Sequence, residues 1–224
     1  MKKTLAALVF FLASILIASG QDIPTAEQLF AKVSTAYAAV TDYEAQISVS
    51  NAGQPMKGTL YFKSPSLLRI NFSQPAEQVI VFDGETLKVY IPQYRAVLQQ
   101  ETGASGVGAG AASLASREGL AMMKRNYTIA WESSPQAAAL DPGSAELVYK
   151  LMLSRKTVSE GFKTIRISIS STSLLIRRIE GWTVANDKIG FDFTSIVLNQ
   201  GIPATRFLYD APASANIYNN FLFQ

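Results

Sequence analysis

Residues 64–100 restrict the fold of this chain more than any other segment. They contain four short strand-like runs, separated by Gln74-Pro75, Asp83-Gly84 and Ile91-Pro92-Gln93. Apolar and polar residues alternate in two of these runs, which predicts an antiparallel hairpin with one apolar face. A second layer, a helix or a ligand must cover that face, and its identity decides the function. The alternating apolar residues are Leu68, Ile70, Phe72, Leu87, Val89 and Ile91.

The first twenty residues have the layout of a secretory signal peptide. Lys2 and Lys3 precede an apolar run over residues 5–18, which the small residues Ser19 and Gly20 follow. The run is shorter than the roughly 20 residues that a membrane-spanning helix needs, so we expect cleavage after Gly20 rather than an uncleaved anchor. The sequence has no cysteine for lipid attachment or a disulfide. We expect residues 21–224 to form one soluble periplasmic domain.

Composition argues against several classes of function. The chain has no His and no Cys, so it lacks the commonest general base, the usual zinc ligands and a thiol nucleophile. Without Lys2 and Lys3, 18 basic side chains face 17 acidic ones, and this balance predicts no nucleic-acid surface. Asp83, Asp141 and Asp187 lie in predicted turns, where Asp serves the turn geometry. We therefore expect that the protein is not an enzyme and that it binds no metal and no other cofactor.

The remaining pattern predicts one N-terminal helix and many strands. Thr25 and Gln28 fit a capping box, and apolar residues follow at helical spacing up to Val40. Runs of similar length with short turns favour a meander in one curved antiparallel sheet. Two or three short helices are too few to cover about ten strands, so we expect a partly open concave apolar pocket for hydrocarbon. Strands are predicted at residues 43–49, 56–63, 127–131, 146–153, 162–169, 174–182, 189–198 and 205–209.

A Gly/Ala/Ser tract separates the two groups of strands. Residues 103–116 read GASGVGAGAASLAS, and Gly106, Gly108 and Gly110 lie in a formal match to the dinucleotide-binding pattern. No parallel crossover with hydrophobic strands follows, so we interpret the tract as a hinge with high backbone entropy.

A short apolar helix is predicted after this tract, over residues 114–123. Its Leu120 and Met122 have two interpretations: they belong to the core, or they form a lid that adapts to a variable apolar surface. With Trp182 from a later strand, they complete the candidate lining of the pocket.

The region from residue 64 to residue 92 resembles the periplasmic outer-membrane lipoprotein carrier family of the LolA type. The shared features are a strand opened by Pro65, then Gln74-Pro75, an apolar strand, Asp83-Gly84 and the ending Tyr90-Ile91-Pro92. The order of leader, first helix, helical insert and closing strand fits the family as well.

The resemblance implies a mainly β (α+β) fold: an incomplete antiparallel barrel with a few helices as a lid over the concave face. It implies a monomeric chaperone that binds the acyl chains of lipoproteins. The partners would be an inner-membrane lipoprotein-releasing transporter and an outer-membrane receptor. The family Arg that helps to hold the lid shut is replaced by Ser64, and Lys63 and Arg69 are the candidate substitutes.

Two alternatives remain open on the same scaffold. One is a carrier of another lipid, such as a phospholipid or glycolipid. An apolar lining does not distinguish the acyl chains of lipids that differ only in their headgroup. The other is a lipoprotein-sensing module, which would detect lipoproteins rather than carry them.

Overall fold

The structure is a computed structural model that describes residues 24–51, 55–101 and 115–220. Two α-helices are present in these ranges, α1 (Ala26–Ala38) and α2 (Arg117–Asn126), and neither is long and apolar enough to cross a bilayer. The first strands are β1 (Asp42–Ser50), β2 (Met56–Lys63), β3 (Leu67–Gln74), β4 (Val79–Phe82), β5 (Thr86–Ile91) and β6 (Ala96–Glu101). The later strands are β7 (Tyr127–Trp131), β8 (Ala138–Ala139), β9 (Leu147–Arg155), β10 (Phe162–Ser170), β11 (Ile176–Thr183), β12 (Lys188–Leu198) and β13 (Asn216–Asn219).

All thirteen strands belong to one sheet. Its order is β13-β6-β5-β4-β3-β2-β1-β12-β11-β10-β9-β7, with β8 paired to β9 beside β7. Every pairing is antiparallel except the parallel contact of β13 with β6. Since β13 and β7 do not pair with each other, the sheet is open. The predicted mainly β, incomplete barrel from a single sheet is therefore confirmed.

Helix α1 begins with the predicted capping box. The hydroxyl of Thr25 accepts a hydrogen bond from the backbone N–H of Gln28 at 3.1 Å, and the Gln28 side chain accepts one from the Thr25 N–H at 2.7 Å. Two orphan donors of the first turn are thus satisfied. One side of the helix is buried, through Ala26, Leu29, Phe30, Val33 and Tyr37.

The main core lies between this helical layer and one face of the sheet. In β2 and β3 every second side chain is buried, as the alternation in the sequence predicts. The turn between β4 and β5 also agrees, because Gly84 has a φ of 102° and the Asp83 carboxylate accepts from two backbone N–H groups of the turn. The largest fully buried core side chains include Phe30, Phe82, Phe193, Leu60, Leu151 and Leu153.

The chain after β12 crosses the outer face of the sheet, and we call residues 199–219 the C-terminal strap. The prediction of a strand at residues 205–209 is wrong, because Ala204–Phe207 form a 3-10 helix beside β3. Side chains of the sheet hold the strap carbonyls: Lys63 Nζ donates to Ile202 at 2.7 Å, and Arg69 donates to Arg206 and Leu208 at 3.0 Å each. These bonds replace those that a neighbouring strand would supply.

Candidate functional site

Eight of the nine predicted lining residues lie on the core side of the sheet or on α2. Leu68, Ile70, Phe72 and Leu87 are buried in the main core. Val89 packs against that core, and by strand alternation Ile91 lies on the same face of β5. On α2, Leu120 is buried and Met122 packs against the core. The structure therefore brings both groups into or against one apolar core, one group from the sheet and the other from α2.

Trp182 lies on the other face of the sheet. Gly181 pairs with the buried Ile165, so its neighbour Trp182 points away from the core. There the indole ring stacks with two cations, Arg166 at 5.1 Å and Lys188 at 5.7 Å from the ring centre. Trp182 is thus separated from the other eight. The proposed hinge glycines, Gly106, Gly108 and Gly110, lie outside the described residues.

The interface between the helices and the sheet contains a small cavity among the described residues. Its volume is about 10 Å³, and it is lined by residues of α1, β1, β11 and β12 together with Ala115. This is roughly the space of one water molecule, so it does not hold an acyl chain. The partly open concave pocket stays a prediction, because the segment that precedes Ala115 lies outside the described residues. The lining residues are Tyr37, Tyr43, Ala115, Ile176, Phe193, Ile196 and Leu198.

Two buried tyrosine hydroxyls form hydrogen bonds across this interface. Tyr43 of β1 donates to the carbonyl of Ala115 at 3.0 Å, directly before the start of α2. Tyr37 of α1 accepts from the backbone N–H of Ile176 at 3.0 Å, at the start of β11. Burial raises the pKa of Tyr37 to about 12, and burial likewise raises the pKa of Tyr43 well above its usual value of 10.0. Both hydroxyls therefore stay neutral.

The sequence did not single out these tyrosines. Tyr37 occupies an apolar position of α1 and Tyr43 an apolar position of β1, so the pattern shows them only as core residues. Lys63 and Arg69, the candidate substitutes for the family Arg, instead bind the C-terminal strap on the outer face. The hydrogen bond that Tyr37 accepts and the one that Tyr43 donates thus connect the helical layer to the sheet.

Helix α2 is fixed at both of its ends. The buried Ser116 hydroxyl accepts from the N–H of Gly119 at 3.0 Å and caps the first turn. At the other end, Lys156 Nζ donates to the carbonyls of Lys124 and Arg125, at 3.2 and 3.0 Å. Among the described residues, no three side chains of His, Cys, Asp or Glu come together in a group that could hold a metal ion.

Comparisons with known proteins agree with this architecture. The sequence matches the family described as "Outer membrane lipoprotein carrier protein LolA" over residues 35–210. It is 26% identical over 164 residues to the outer-membrane lipoprotein carrier protein of Dechloromonas aromatica, which covers 73% of this chain and 72% of that protein.

Solved structures share the fold at low sequence identity. An uncharacterized conserved protein of Thermus thermophilus superposes with a TM-score of 0.55 at 11% identity, covering 87% of this chain and 99% of that one. A chain of the MucA/MucB complex of Pseudomonas aeruginosa gives 0.50 at 10% identity, over 86% of this chain but 63% of that one. The family match covers well over half of the sequence, and the open sheet under two helices is the fold that the resemblance implied. The chain therefore belongs to the LolA outer membrane lipoprotein carrier family, which consists of carriers and not of enzymes.

Proposed function

We propose that this protein carries lipoproteins from the inner to the outer membrane, with their acyl chains held between the helical layer and the core face of the sheet. The observation that supports this most is the apolar interface itself. Leu68, Ile70 and Phe72 of β3 face it from the sheet, while Leu120 and Met122 face it from α2. In a member of a lipoprotein carrier family, such an apolar interface supports a site where hydrocarbon replaces protein side chains.

Loading then requires the helices to move away from the sheet. The cavity of about 10 Å³ must grow, because a single methylene group removed from water contributes roughly 0.8 kcal/mol and a carrier needs several of them enclosed. Acyl chains must displace the side chains that already cover the apolar face. The packing of the helices on the sheet therefore competes with cargo, which lowers the net affinity and makes release possible. Gly106, Gly108 and Gly110 are the proposed hinge of this movement.

The location and partners follow from the same proposal. The leader expected at residues 1–20 would direct residues 21–224 to the periplasm as one domain. There the protein would act as a monomer, receive lipoproteins from an inner-membrane releasing transporter and deliver them to an outer-membrane receptor.

The first test is mass spectrometry of the molecules that co-purify with the protein from its native periplasm. Acylated lipoproteins in near-stoichiometric amount would support the proposal. Free phospholipid or glycolipid alone would indicate a carrier of that lipid instead of lipoproteins. A preparation without any lipid or lipoprotein would contradict the proposal.

A matched pair of variants on α2 tests the location of the site. Met122→Glu places a carboxylate at the apolar interface, and Ala121→Glu places the same charge on the exposed side of the same helical turn. We expect Met122→Glu to release at least tenfold less lipoprotein from inner-membrane vesicles, while Ala121→Glu stays close to the unmodified protein. Thermal unfolding of both variants shows whether they fold, and equal release by two folded variants would place the acyl chains elsewhere.

A further inference from the structure

A basic collar lies next to the turn that carries an exposed aliphatic side chain. We give this name to Lys124 and Arg125, in the last turn of α2, together with Arg155 and Lys156 at the end of β9. The turn that follows β9 carries Val158, whose exposed fraction is 84%. A valine so exposed, with cations next to it, contributes nothing to the core that the rest of the fold builds.

Hydrogen bonds hold the collar and the valine in one arrangement. Lys156 Nζ donates to the carbonyls of Lys124 and Arg125, which joins the turn to the end of α2. The Arg155 guanidinium donates to the carbonyl of Val158 at 3.3 Å. The cations therefore shape the turn whose tip is the aliphatic side chain.

Charge is distributed unevenly between the collar and the rest of the chain. Residues 21–224 carry 18 basic and 17 acidic side chains. The collar has four of the basic ones, and Glu160 is the acid in its turn, so fourteen basic side chains face sixteen acidic ones elsewhere. The collar is thus locally positive in a nearly neutral protein, and such a surface attracts anionic partners at short range.

We propose that the basic collar and Val158 form a docking surface for a phospholipid bilayer with anionic headgroups. Cations next to an exposed aliphatic side chain match the boundary between headgroups and acyl chains, where the charges meet phosphate and the aliphatic side chain enters hydrocarbon. A stable protein interface requires about 800 Å² from each partner, whereas the tip of a short turn offers a small area that a bilayer can envelop. The contact would bring the proposed carrier to a membrane surface. Acyl chains leave or enter the bilayer there.

The experiment is a vesicle flotation assay with residues 21–224. Vesicles of phosphatidylcholine with about one third phosphatidylglycerol are compared with pure phosphatidylcholine, at low and high salt. We expect binding to the anionic vesicles at low salt only, since each basic residue near such a surface contributes about fivefold to partitioning. Lack of binding to anionic vesicles at low salt would overturn the proposal.

Two double variants with the same change in net charge localise the contact. Lys124→Gln with Arg125→Gln removes two collar charges and should weaken binding by about 25-fold. Lys57→Gln with Arg95→Gln removes two exposed cations from the other half of the sheet and should retain most of it. Equal losses in the two pairs would show a non-local charge effect and contradict the docking surface.

A fluorescent label tests the aliphatic tip directly. The chain has no cysteine, so Val158→Cys gives one attachment site for an environment-sensitive dye. Its emission should shift to the blue with anionic vesicles, and a dye at Val184→Cys, in the exposed turn after β11, should not shift. Unchanged emission from a dye at residue 158 would show that this residue stays in water, and it would overturn the insertion of the aliphatic tip into the bilayer. These vesicles contain no lipoprotein, so binding to them is measured independently of the proposed cargo.

Discussion

The Tyr43 hydroxyl donates a hydrogen bond to the carbonyl oxygen of Ala115 over 3.0 Å, and both residues are buried. Tyr43 belongs to the central strand β1, and Ala115 directly precedes the cap of α2. Burial raises the pKa of Tyr43, so the donor keeps its proton at any physiological pH. The helix that covers the apolar face is thus connected to the sheet by a neutral, directional bond that does not depend on salt.

Tyr43→Phe should loosen α2 without removing packed carbon atoms. The variant leaves the buried Ala115 carbonyl without this donor, which should lower the free energy of unfolding by about 1–2 kcal/mol in urea titrations. Hydrogen exchange at Leu120 and Met123 should become faster. Tyr94→Phe, at a tyrosine that is 68% exposed, is the control. Unchanged exchange on α2 in the Tyr43 variant would show that the bond does not hold the helix.

Stability should fall as the pH rises above 10, and Tyr37 should account for part of the fall. Its pKa is about 12 in the folded protein and near 10 in the unfolded chain, so the folded state binds more protons between these values. The contribution of Tyr37 is therefore complete below pH 10 and decreases by about 1.4 kcal/mol per pH unit up to pH 12. Urea titrations from pH 9 to 11.5 should show a shallower decline for Tyr37→Phe. Parallel curves for the two proteins would contradict this assignment.

Gly58 should not tolerate a side chain. A Cβ atom there would lie 2.3 Å from the carbonyl oxygen of Asn71, so Gly58→Ala forces β2 and β3 apart. We expect a loss of about 2 kcal/mol or more in thermal or urea unfolding. Gly161→Ala is the matched control, because no atom lies within 4 Å of the added carbon and its φ is not positive. That variant should be neutral or slightly more stable. Similar stability of the two variants would show that β2 and β3 lie farther apart at Gly58 than the 2.3 Å contact indicates.

Arg69→Gln should release the C-terminal strap from the sheet. The guanidinium of Arg69 donates to two strap carbonyls, and its cation also stacks 5.8 Å from the ring centre of Tyr209. We expect faster hydrogen exchange in β13 and easier proteolysis of the strap, with the main core unaffected. Lys88→Gln removes a cation from the same outer face and should change neither property. Equal protection of β13 in both variants would mean that the parallel pairing with β6 holds the strap alone.

The hairpins were predictable from the sequence because their signal is local. Leu68 and Leu87 alternate with Arg69 and Lys88, and the turn at Asp83-Gly84 fixes how β4 pairs with β5. The capping box of Thr25 is equally local. Such features depend on neighbours along the chain, so a single sequence contains them.

Trp182 and the C-terminal strap depend on distant partners, which the sequence does not show. The face on which Trp182 lies is set by the pairing of Gly181 with Ile165. The segment around Phe207 has the composition of a strand. It lies in the strap, which hydrogen bonds from Lys63 and Arg69 of distant strands hold in place. The contact between the helical layer and the sheet also depends on distant partners, since Tyr43 reaches Ala115 only once the sheet has formed.

The pairing of β1 with β12 has a consequence for how this sheet assembles. Strands β1 to β6 pair in sequence order, as do β9 to β12, so each group can form from contacts between neighbours in the chain. The junction between the groups, where Tyr43 faces Leu198, is a contact of high sequence separation and carries the main cost of loop closure. Folding is therefore expected to complete at this junction, and the apolar faces of the two half-sheets become one continuous surface only when β1 and β12 join.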